Sequence, residues 1–331
     1  MTVSPDAPVR PVPGGLPSRR IAEALFSGDT IHYVDRFDEM ADLLDSFDDQ
    51  RPATCGAYVA RYLLPPLGFD RHEGVPTTRE DYLALLAGTV IEGYEEAPAE
   101  AVRREASRLG LTDETAAARY GGAYYAWPLR ASDDPAVAGT SPTGTARIIA
   151  TVSGGALVTL PVPARDVSGR VLMTEAAWDG LLDLLVDRLD AWSLHAIVNY
   201  QSDQLLDPTA SAYDAVGLRS ADPTAAIPLD RWGVGHFAGI GALWQAADGR
   251  RWALLLDTYW DRGFSRYEPQ PAELVRRALV RDDGREGGLL LVLPRQHLDV
   301  ARDAMEPLGL ENRMWGNGSP EPEGWAWEYG R

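Results

Sequence analysis

HFAGIGALWQAADGRRWALLLDTY, residues 236–259, contains two long apolar runs separated by a short polar segment. The polar segment includes Asp248-Gly249, a dipeptide that is typical of tight hairpin turns. Apolar runs on both sides of such a turn predict two neighbouring antiparallel strands, at 236–244 and 251–259. An antiparallel sheet is therefore the expected organising feature of the second half of the chain.

Two polar residues mark the ends of this predicted hairpin. His236 opens the first strand, and Asp257 closes the apolar run of the second. An acid at the end of an apolar strand needs a partner, because an unpaired buried charge is costly. A two-residue turn would pair His236 with Asp261, whereas a longer or shifted loop would bring Asp257 level with it. We take Asp257 as the partner of His236 and keep Asp261 as the substitute.

Helices are predicted mainly in the first half of the chain and strands in the second. Apolar periodicity and capping residues predict helices at 31–49, 55–64, 78–86, 99–109 and 113–120. Residues 131–146 are rich in Pro, Ser and Gly and predict a long loop. After it, strands are predicted at 148–152, 156–162, 195–200 and 288–294, and helices at 178–189 and 271–279. Helices followed by an antiparallel sheet are typical of an α+β fold.

Three regions are expected along the chain. Residues 1–30 lack the apolar core of a signal peptide, and their Pro, Gly and Arg content predicts a disordered arm. Residues 31–130 are predicted to form a helical lobe. Residues 131–331 are predicted to form an antiparallel sheet lobe that contains insertions and carries the histidine and the aspartate.

Composition restricts the partners and the location. The formal net charge of −18 disfavours a nucleic acid or an anionic membrane as a partner, because either would repel the chain. No apolar run approaches the roughly 20 residues of a membrane helix. The single cysteine cannot form an internal disulfide, which favours a reducing cytoplasm. Neither CxxC nor HExxH occurs, so no metal and no cofactor are predicted.

Cys55, the only cysteine, is the predicted nucleophile. Thr54 is suited to cap a helix that begins at Cys55, where a thiol faces unpaired backbone N–H groups and the positive end of the helix dipole. Both lower the thiol pKa from about 8.5 towards roughly 3.5–7.5. Gly56 is expected to leave room beside the sulfur for a substrate carbonyl. The Gln50 amide is expected to share an oxyanion hole with the Cys55 N–H. The alternative is a buried structural cysteine.

A thiolate nucleophile needs a general base that later protonates the leaving group. His236 is the best placed of the five histidines, because the small residues of 233–235 leave space around its ring. His195 begins an apolar strand and is kept as a reserve base. The remaining histidines, in terminal or polar segments, are His32, His72 and His297. The alternative for His236 is a structural histidine at a sheet edge.

The segments Gln50, Cys55-Gly56-Ala57, His236-Phe237 and Leu256-Asp257 resemble the papain-like cysteine peptidase superfamily. The similarity is greatest to bacterial double-glycine leader peptidases and their stand-alone relatives. These show a Gln, a Cys-Gly-Ala at a helix start, a later His that opens a strand and an Asp that closes the next. The resemblance implies a papain-like α+β fold, in which a helical lobe carrying the Cys packs on an antiparallel sheet carrying the His and the Asp.

The resemblance also implies a role for each matching residue. Cys55 attacks the substrate and Gln50 serves the oxyanion hole. His236 acts as acid and base, and Asp257 orients its ring. Residues 55 and 236 are 181 positions apart, farther than in a minimal member of that branch, so residues from about 90 to 230 are expected to include insertions.

The function predicted from the sequence is a cysteine-dependent hydrolase that cleaves a peptide or amide bond through a thioester intermediate, with a peptide or protein as substrate. One alternative is a transglutaminase-like acyltransferase or an amidase on the same scaffold. The sequence contains no lysine, which fits an enzyme that should not acylate itself. The other alternative is a protein that binds a peptide or partner and keeps a vestigial triad.

Overall fold

The structure is a computed structural model, which describes residues 18–51, 53–89, 138–189, 191–206, 233–260 and 262–327. Within these ranges the chain is a mixed α+β protein with a mostly antiparallel sheet and packed helices. The predicted α+β class is therefore confirmed. The helices predicted at 99–109 and 113–120 and the boundary at 130 lie outside the described residues.

The described ranges contain eight α-helices. They are α1 (Ile21–Leu25), α2 (Phe37–Ser46), α3 (Cys55–Leu63), α4 (Glu80–Leu86), α5 (Pro142–Val152), α6 (Glu175–Arg188), α7 (Ala272–Val280) and α8 (Leu298–Met305). The helix α3 contacts α2, α4 and α5, and it also lies against one strand of the sheet. Helices from both sides of the undescribed segment 90–137 therefore pack together around α3.

The strands form one large sheet and one small hairpin. They are β1 (Ile31–Tyr33), β2 (Arg71–His72), β3 (Val75–Pro76), β4 (Leu157–Pro163), β5 (His195–Gln201), β6 (Gly235–Gln245), β7 (Arg251–Leu256), β8 (Tyr267–Pro271) and β9 (Gly288–Pro294). The large sheet has the order β4-β9-β5-β6-β7-β8, and all these neighbours are antiparallel. The strand β1 pairs with the far end of β6, and β2 pairs only with β3.

The hairpin of β6 and β7 forms as the sequence predicts, with a register that differs from both expected pairings. Gln245 lies opposite Arg251, and the register shifts by one residue between Ile240 and Ala242. This β-bulge moves the end of β7 relative to the start of β6, and such bulges commonly re-aim side chains beside functional sites. Gly239 consequently lies opposite Leu256, the last residue of β7.

The helix α3 is held against this hairpin by one buried hydroxyl group. The Tyr62 hydroxyl accepts a hydrogen bond from the Gly239 N–H at 2.9 Å and donates one to the Leu256 carbonyl at 3.1 Å. Tyr62 is fully buried, and Pro65 and Pro66 follow the helix, as expected for a helix stop. The position of α3 relative to the ends of β6 and β7 is thereby fixed.

The buried apolar side chains of the described residues form one continuous cluster. It extends from α1 and α3 through the strands of the large sheet to α7 and α8. Helices and sheet therefore share a single core rather than burying separate ones. Burial of this kind contributes about 25 cal/mol per Å² of apolar surface, and it is the main stabilising term of the fold.

Several predicted elements differ from the structure. Residues 31–49 contain the strand β1 and the helix α2 instead of one helix, and residues 148–152 are helical rather than a strand. The helix α5 begins at Pro142, inside the predicted loop, because the Ser141 side chain accepts from the Gly144 N–H and caps it. Strand β8 and helix α8 were not predicted.

The N-terminal region also differs from the expectation of a disordered arm at 1–30. Residues 18–25 form a 3-10 turn followed by α1. Ile21 and Leu25 of this helix are fully buried in the core, because the arm ends in an apolar segment that covers the sheet. Residues 1–17 lie outside the described residues.

Candidate active site

Cys55 occupies the first position of α3, as the sequence predicts, and its side chain is 7% exposed. The first backbone hydrogen bond of the helix runs from the Tyr58 N–H to the Thr54 carbonyl. The N–H groups of the preceding helical positions therefore point out of the helix start, where the dipole favours negative charge. A thiolate at Cys55 would lie at this favourable end.

Thr54 occupies the cap position, although its side chain does not cap the helix. Its hydroxyl lies instead within hydrogen-bonding distance of two acceptors, the Arg51 carbonyl and the carboxylate of Glu80, a buried residue of α4. Glu80 also accepts the Arg51 N–H at 2.7 Å. The turn before Cys55 is thus fixed by an acid on a neighbouring helix.

Gly56 lies where α3 and α5 approach each other. A Cβ atom at Gly56 would clash with the Thr145 hydroxyl and come within 3.0 Å of a Thr140 methyl group. The space that a side chain would fill here is therefore occupied by α5 and the residue before its cap. Gly56 allows α3 and α5 to approach each other closely.

His236 is the second residue of β6 and is almost completely buried. Its ring is hydrogen-bonded to the Cys55 thiol. On the other side, its Nε2 lies 3.3 Å from an oxygen of Asp257 and 3.3 Å from the Thr258 hydroxyl. The structure therefore brings together three of the predicted site residues, Cys55, His236 and Asp257.

Asp257 follows directly after β7, and no part of its side chain is exposed. Its Oδ1 accepts the Thr258 N–H at 2.7 Å and the Tyr259 N–H at 2.9 Å. Its Oδ2, which faces His236, also accepts the Tyr200 hydroxyl at 3.2 Å. Both oxygens are thus fixed. The substitute Asp261 lies outside the described residues.

The neighbours of His236 determine which ring nitrogen carries the hydrogen. A carboxylate can only accept hydrogen bonds, so the Nε2 that faces Asp257 must donate. The Thr258 hydroxyl donates its own hydrogen to the Gln50 Oε1 and can therefore only accept from Nε2. Nε2 consequently carries the hydrogen, and Nδ1 is the nitrogen left for Cys55.

The charges of His236 and Asp257 act on each other, so that the pKa of His236 is raised and the pKa of Asp257 is lowered. Burial alone would lower the pKa of His236, but the negative charge of Asp257 and the hydrogen bonds to Asp257 and Cys55 raise it above 6.5. Burial alone would raise the pKa of Asp257, but the positive charge of His236, their hydrogen bond and Arg262 lower it below 3.8. The pair is therefore stabilised as imidazolium and carboxylate.

Gln50 lies in the site but is oriented differently from the prediction. Its Nε2 donates to the Tyr259 hydroxyl at 2.9 Å and to the Arg51 carbonyl at 3.3 Å. Its Oε1 accepts the Thr258 hydroxyl, and its N–H donates to the Thr258 carbonyl at 3.1 Å. The amide is therefore held by the loop that follows β7, and the described hydrogen bonds do not join it to Cys55.

The segment before Cys55 is attached to this loop at a second point. Asp49 accepts the Trp260 N–H at 2.6 Å and the Arg266 guanidinium at 3.1 Å. Arg266 is buried and also donates to the carbonyl of Phe47 at 2.8 Å, close to the end of α2. These bonds hold the chain from α2 to α3 beside the residues that follow Asp257.

Three residues of the site were not found from the sequence. Tyr259 stacks on the His236 ring, with centroids 5.8 Å apart and planes inclined by 22°. Tyr200 meets the same ring edge-on at 5.6 Å, and Thr258 joins His236 to Gln50. A tyrosine two positions after the predicted acid was the available signal for Tyr259. Tyr200 lies opposite His236 in the sheet, which only the strand pairing reveals.

The other histidines lie outside this arrangement. His195, the reserve base, is at the opposite end of β5 from Tyr200, five residues or about 17 Å along the strand. It is buried, its pKa is lowered to about 4 by burial, and its Nε2 has no hydrogen-bond partner among the described residues. His32 is exposed on β1. His72 contacts the Tyr82 hydroxyl, and His297 stacks on Trp192.

The described part of the chain contains neither a cluster of metal-ligating side chains nor a membrane-spanning helix. There, no group of three or more His, Cys, Asp or Glu side chains is arranged to hold a metal ion. No helix in these ranges is long and apolar enough to cross a membrane.

Fold and site together define an α+β protein with a buried cysteine, histidine and aspartate in hydrogen-bonded sequence. The chain belongs to a family of unknown function, DUF6885, whose model matches residues 35–316. The match includes all four predicted site residues. No curated protein matches the chain.

Proposed function

We propose that this protein is a cysteine-dependent hydrolase that cleaves a peptide or amide bond through a thioester intermediate. The observation that carries the proposal is the hydrogen-bonded series from Cys55 through His236 to Asp257. A nucleophile, a base within hydrogen-bonding contact and a third group that orients the base are the parts that covalent catalysis requires. A structural cysteine needs none of these partners.

The proposed reaction uses the charge state that the site favours. His236 accepts the Cys55 thiol proton on Nδ1, and Asp257 stabilises the imidazolium form that results. The thiolate attacks the carbonyl carbon, and a C–S bond forms as the C=O electron pair moves to oxygen. His236 then donates its proton to the leaving amine, the C–N bond breaks and a thioester remains. Water, deprotonated by His236, hydrolyses the thioester and regenerates the thiol.

A papain-like arrangement is part of the same proposal. Support comes from the order of Cys55, His236 and Asp257 along the chain, and from the contact of α3 with β6. The Cys lies at a helix start, the His at a strand start and the Asp at the end of the next strand. In this arrangement the substrate would bind between the start of α3 and the loop after β7.

The reactivity of the thiol provides the first test. Cys55 is expected to react with iodoacetamide at pH 6 much faster than N-acetylcysteine does, because a free thiol is almost fully protonated at that pH. Intact-mass spectrometry gives the rate, and Cys55→Ala confirms the labelled position. A Cys55 that reacts no faster than N-acetylcysteine would contradict the proposed ion pair.

A peptide library provides the second test. The wild-type protein is mixed with peptides from a digested proteome, with and without glycinamide as an amine acceptor, and new termini are identified by mass spectrometry. Cys55→Ala and the nearly isosteric Cys55→Ser serve as controls. Cleavage that needs Cys55 is the expected result, and glycinamide adducts would instead assign acyl transfer. No Cys55-dependent product in either mixture would refute the proposal.

A further inference from the structure

Tyr259 contacts three residues of the site, His236, Asp257 and Gln50. Its N–H donates to Asp257 at 2.9 Å, and its ring stacks on His236. Its hydroxyl accepts the Gln50 Nε2–H at 2.9 Å. Burial and then the negative charges of Cys55 and Asp257 raise its pKa, so the phenol stays protonated and lies within electrostatic range of the nucleophile.

Gln50 is prevented from serving as a direct donor by its own hydrogen bonds. Its Oε1 is held by Thr258, which fixes the plane of the amide. Its two Nε2 hydrogens then point at the Tyr259 hydroxyl and the Arg51 carbonyl. To donate to a substrate, the amide would have to give up one of these bonds. An oxyanion hole works because its donors are already aimed before the reaction.

We infer that Tyr259 donates the side-chain hydrogen bond to the substrate oxyanion and that Gln50 is a positioning residue acting through Tyr259. The inference rests on the proposed hydrolase function. A hydroxyl that accepts a hydrogen bond becomes a better donor, because neighbouring hydrogen bonds polarise one another. Gln50 therefore both orients the phenol and strengthens the bond that the phenol donates.

The chemical step assigned to Tyr259 is the formation of the tetrahedral intermediate. As the Cys55 thiolate bonds to the carbonyl carbon, the C=O electron pair becomes a lone pair on oxygen. This oxygen accepts hydrogen bonds from the Tyr259 O–H and from the Cys55 N–H at the start of α3. No proton is transferred, and the Tyr259 hydrogen bond weakens again when the carbonyl re-forms in the thioester.

Two reagents separate the oxyanion role from the reactivity of the sulfur. p-Nitrophenyl acetate acylates Cys55 through a tetrahedral oxyanion, whereas iodoacetamide alkylates it by displacement without one. The acylation burst is followed as released p-nitrophenolate, and alkylation by intact mass. The variants are Tyr259→Phe, Gln50→Ala and the double variant, with Tyr33→Phe as a matched hydroxyl deletion remote from the site.

Tyr259→Phe is expected to lower the acylation rate by about 10- to 100-fold. This loss is smaller than the one expected with an amide substrate, because p-nitrophenyl acetate is an activated ester. Its rate of alkylation by iodoacetamide should stay within about twofold of the wild-type rate, because the thiolate is kept and the ring at 259 still stacks on His236. Gln50→Ala should lower the acylation rate when it is the only substitution, but it should not lower it further when Tyr259→Phe is already present. Tyr33→Phe should change neither rate.

Four results would overturn the inference. Tyr259→Phe with wild-type acylation excludes the phenol as donor, and a further loss from Gln50→Ala in that background shows that Gln50 donates directly. A wild-type protein that is not acylated at all refutes the proposed function and the inference with it. If Tyr259→Phe also loses alkylation, 3-fluorotyrosine at 259 replaces it, and acylation that does not accelerate with this stronger donor refutes the inference.

Discussion

Replacing Tyr62 with phenylalanine should destabilise the protein by about 1.5–4.5 kcal/mol, more than a usual hydroxyl deletion. The Tyr62 hydroxyl is fully buried and serves the Gly239 N–H and the Leu256 carbonyl. Leaving the buried N–H without its acceptor costs about 1–3 kcal/mol, and losing the bond to the carbonyl costs about 0.5–1.5 kcal/mol. Phenylalanine keeps the ring, so these two costs are the whole expected effect.

Tyr58→Phe is the matched control, because Tyr58 lies one turn earlier on the same helix. Its hydroxyl donates only to the carbonyl of the exposed Asp48, where water can replace it. This variant should lose about 0.5–1.5 kcal/mol. Urea denaturation followed by circular dichroism gives both free energies of unfolding. Equal losses for Tyr62→Phe and Tyr58→Phe would show that the Tyr62 hydroxyl does not hold α3 to the hairpin.

Asp257→Asn should lower the pKa of His236, because burial then acts without the opposing charge; the pH at which iodoacetamide labelling becomes fast should move upwards. A pH profile unchanged from the wild type would contradict this. The pKa of His195 falls from 6.5 to about 4 on folding, so the unfolded chain binds the extra proton and stability should drop as pH falls through that window. His195→Leu should remove about 2–3 kcal/mol of the wild-type loss between pH 7 and 4.5, measured by urea denaturation at both values; an equal loss in the variant would disprove it. Gly56→Ala should destabilise by about 1–2 kcal/mol through the clash with Thr145, partly offset by helix propensity. Adding Thr145→Ala should recover part of that loss, and strictly additive free energies would exclude the contact.

The parts of the fold that follow from local pattern were predictable. The strand at 288–294 and the helix starting at Cys55 have the predicted bounds to within one residue, because an apolar run or a pair of prolines defines them locally. The run at 148–152 was misassigned as a strand, since its β-branched residues favour strands in isolation. The Ser141 cap and the Pro142 start, seven and six positions before residue 148, outweigh that preference.

The site was predictable in its members more than in its geometry. Cys55, His236 and Asp257 could be named because each stands at the end of a predicted element. Their contact depends on the bulge between Ile240 and Ala242, which changes the register and has no clear signal in the sequence. The hydrogen bonds of Gln50 depend on a loop more than 200 positions later, so no local pattern could give its orientation.

The pairing of β1 with β6 also has a consequence for how the protein is made. Ile31 pairs with Trp244, 213 positions later. A ribosome adds about 5–20 residues per second, so roughly 10–40 s separate the synthesis of the two strands. For most of that time the emerging chain has Cys55 without its histidine and aspartate. Each copy therefore brings Cys55, His236 and Asp257 together only after most of its residues have been translated, and a nascent chain truncated before Asp257 never does.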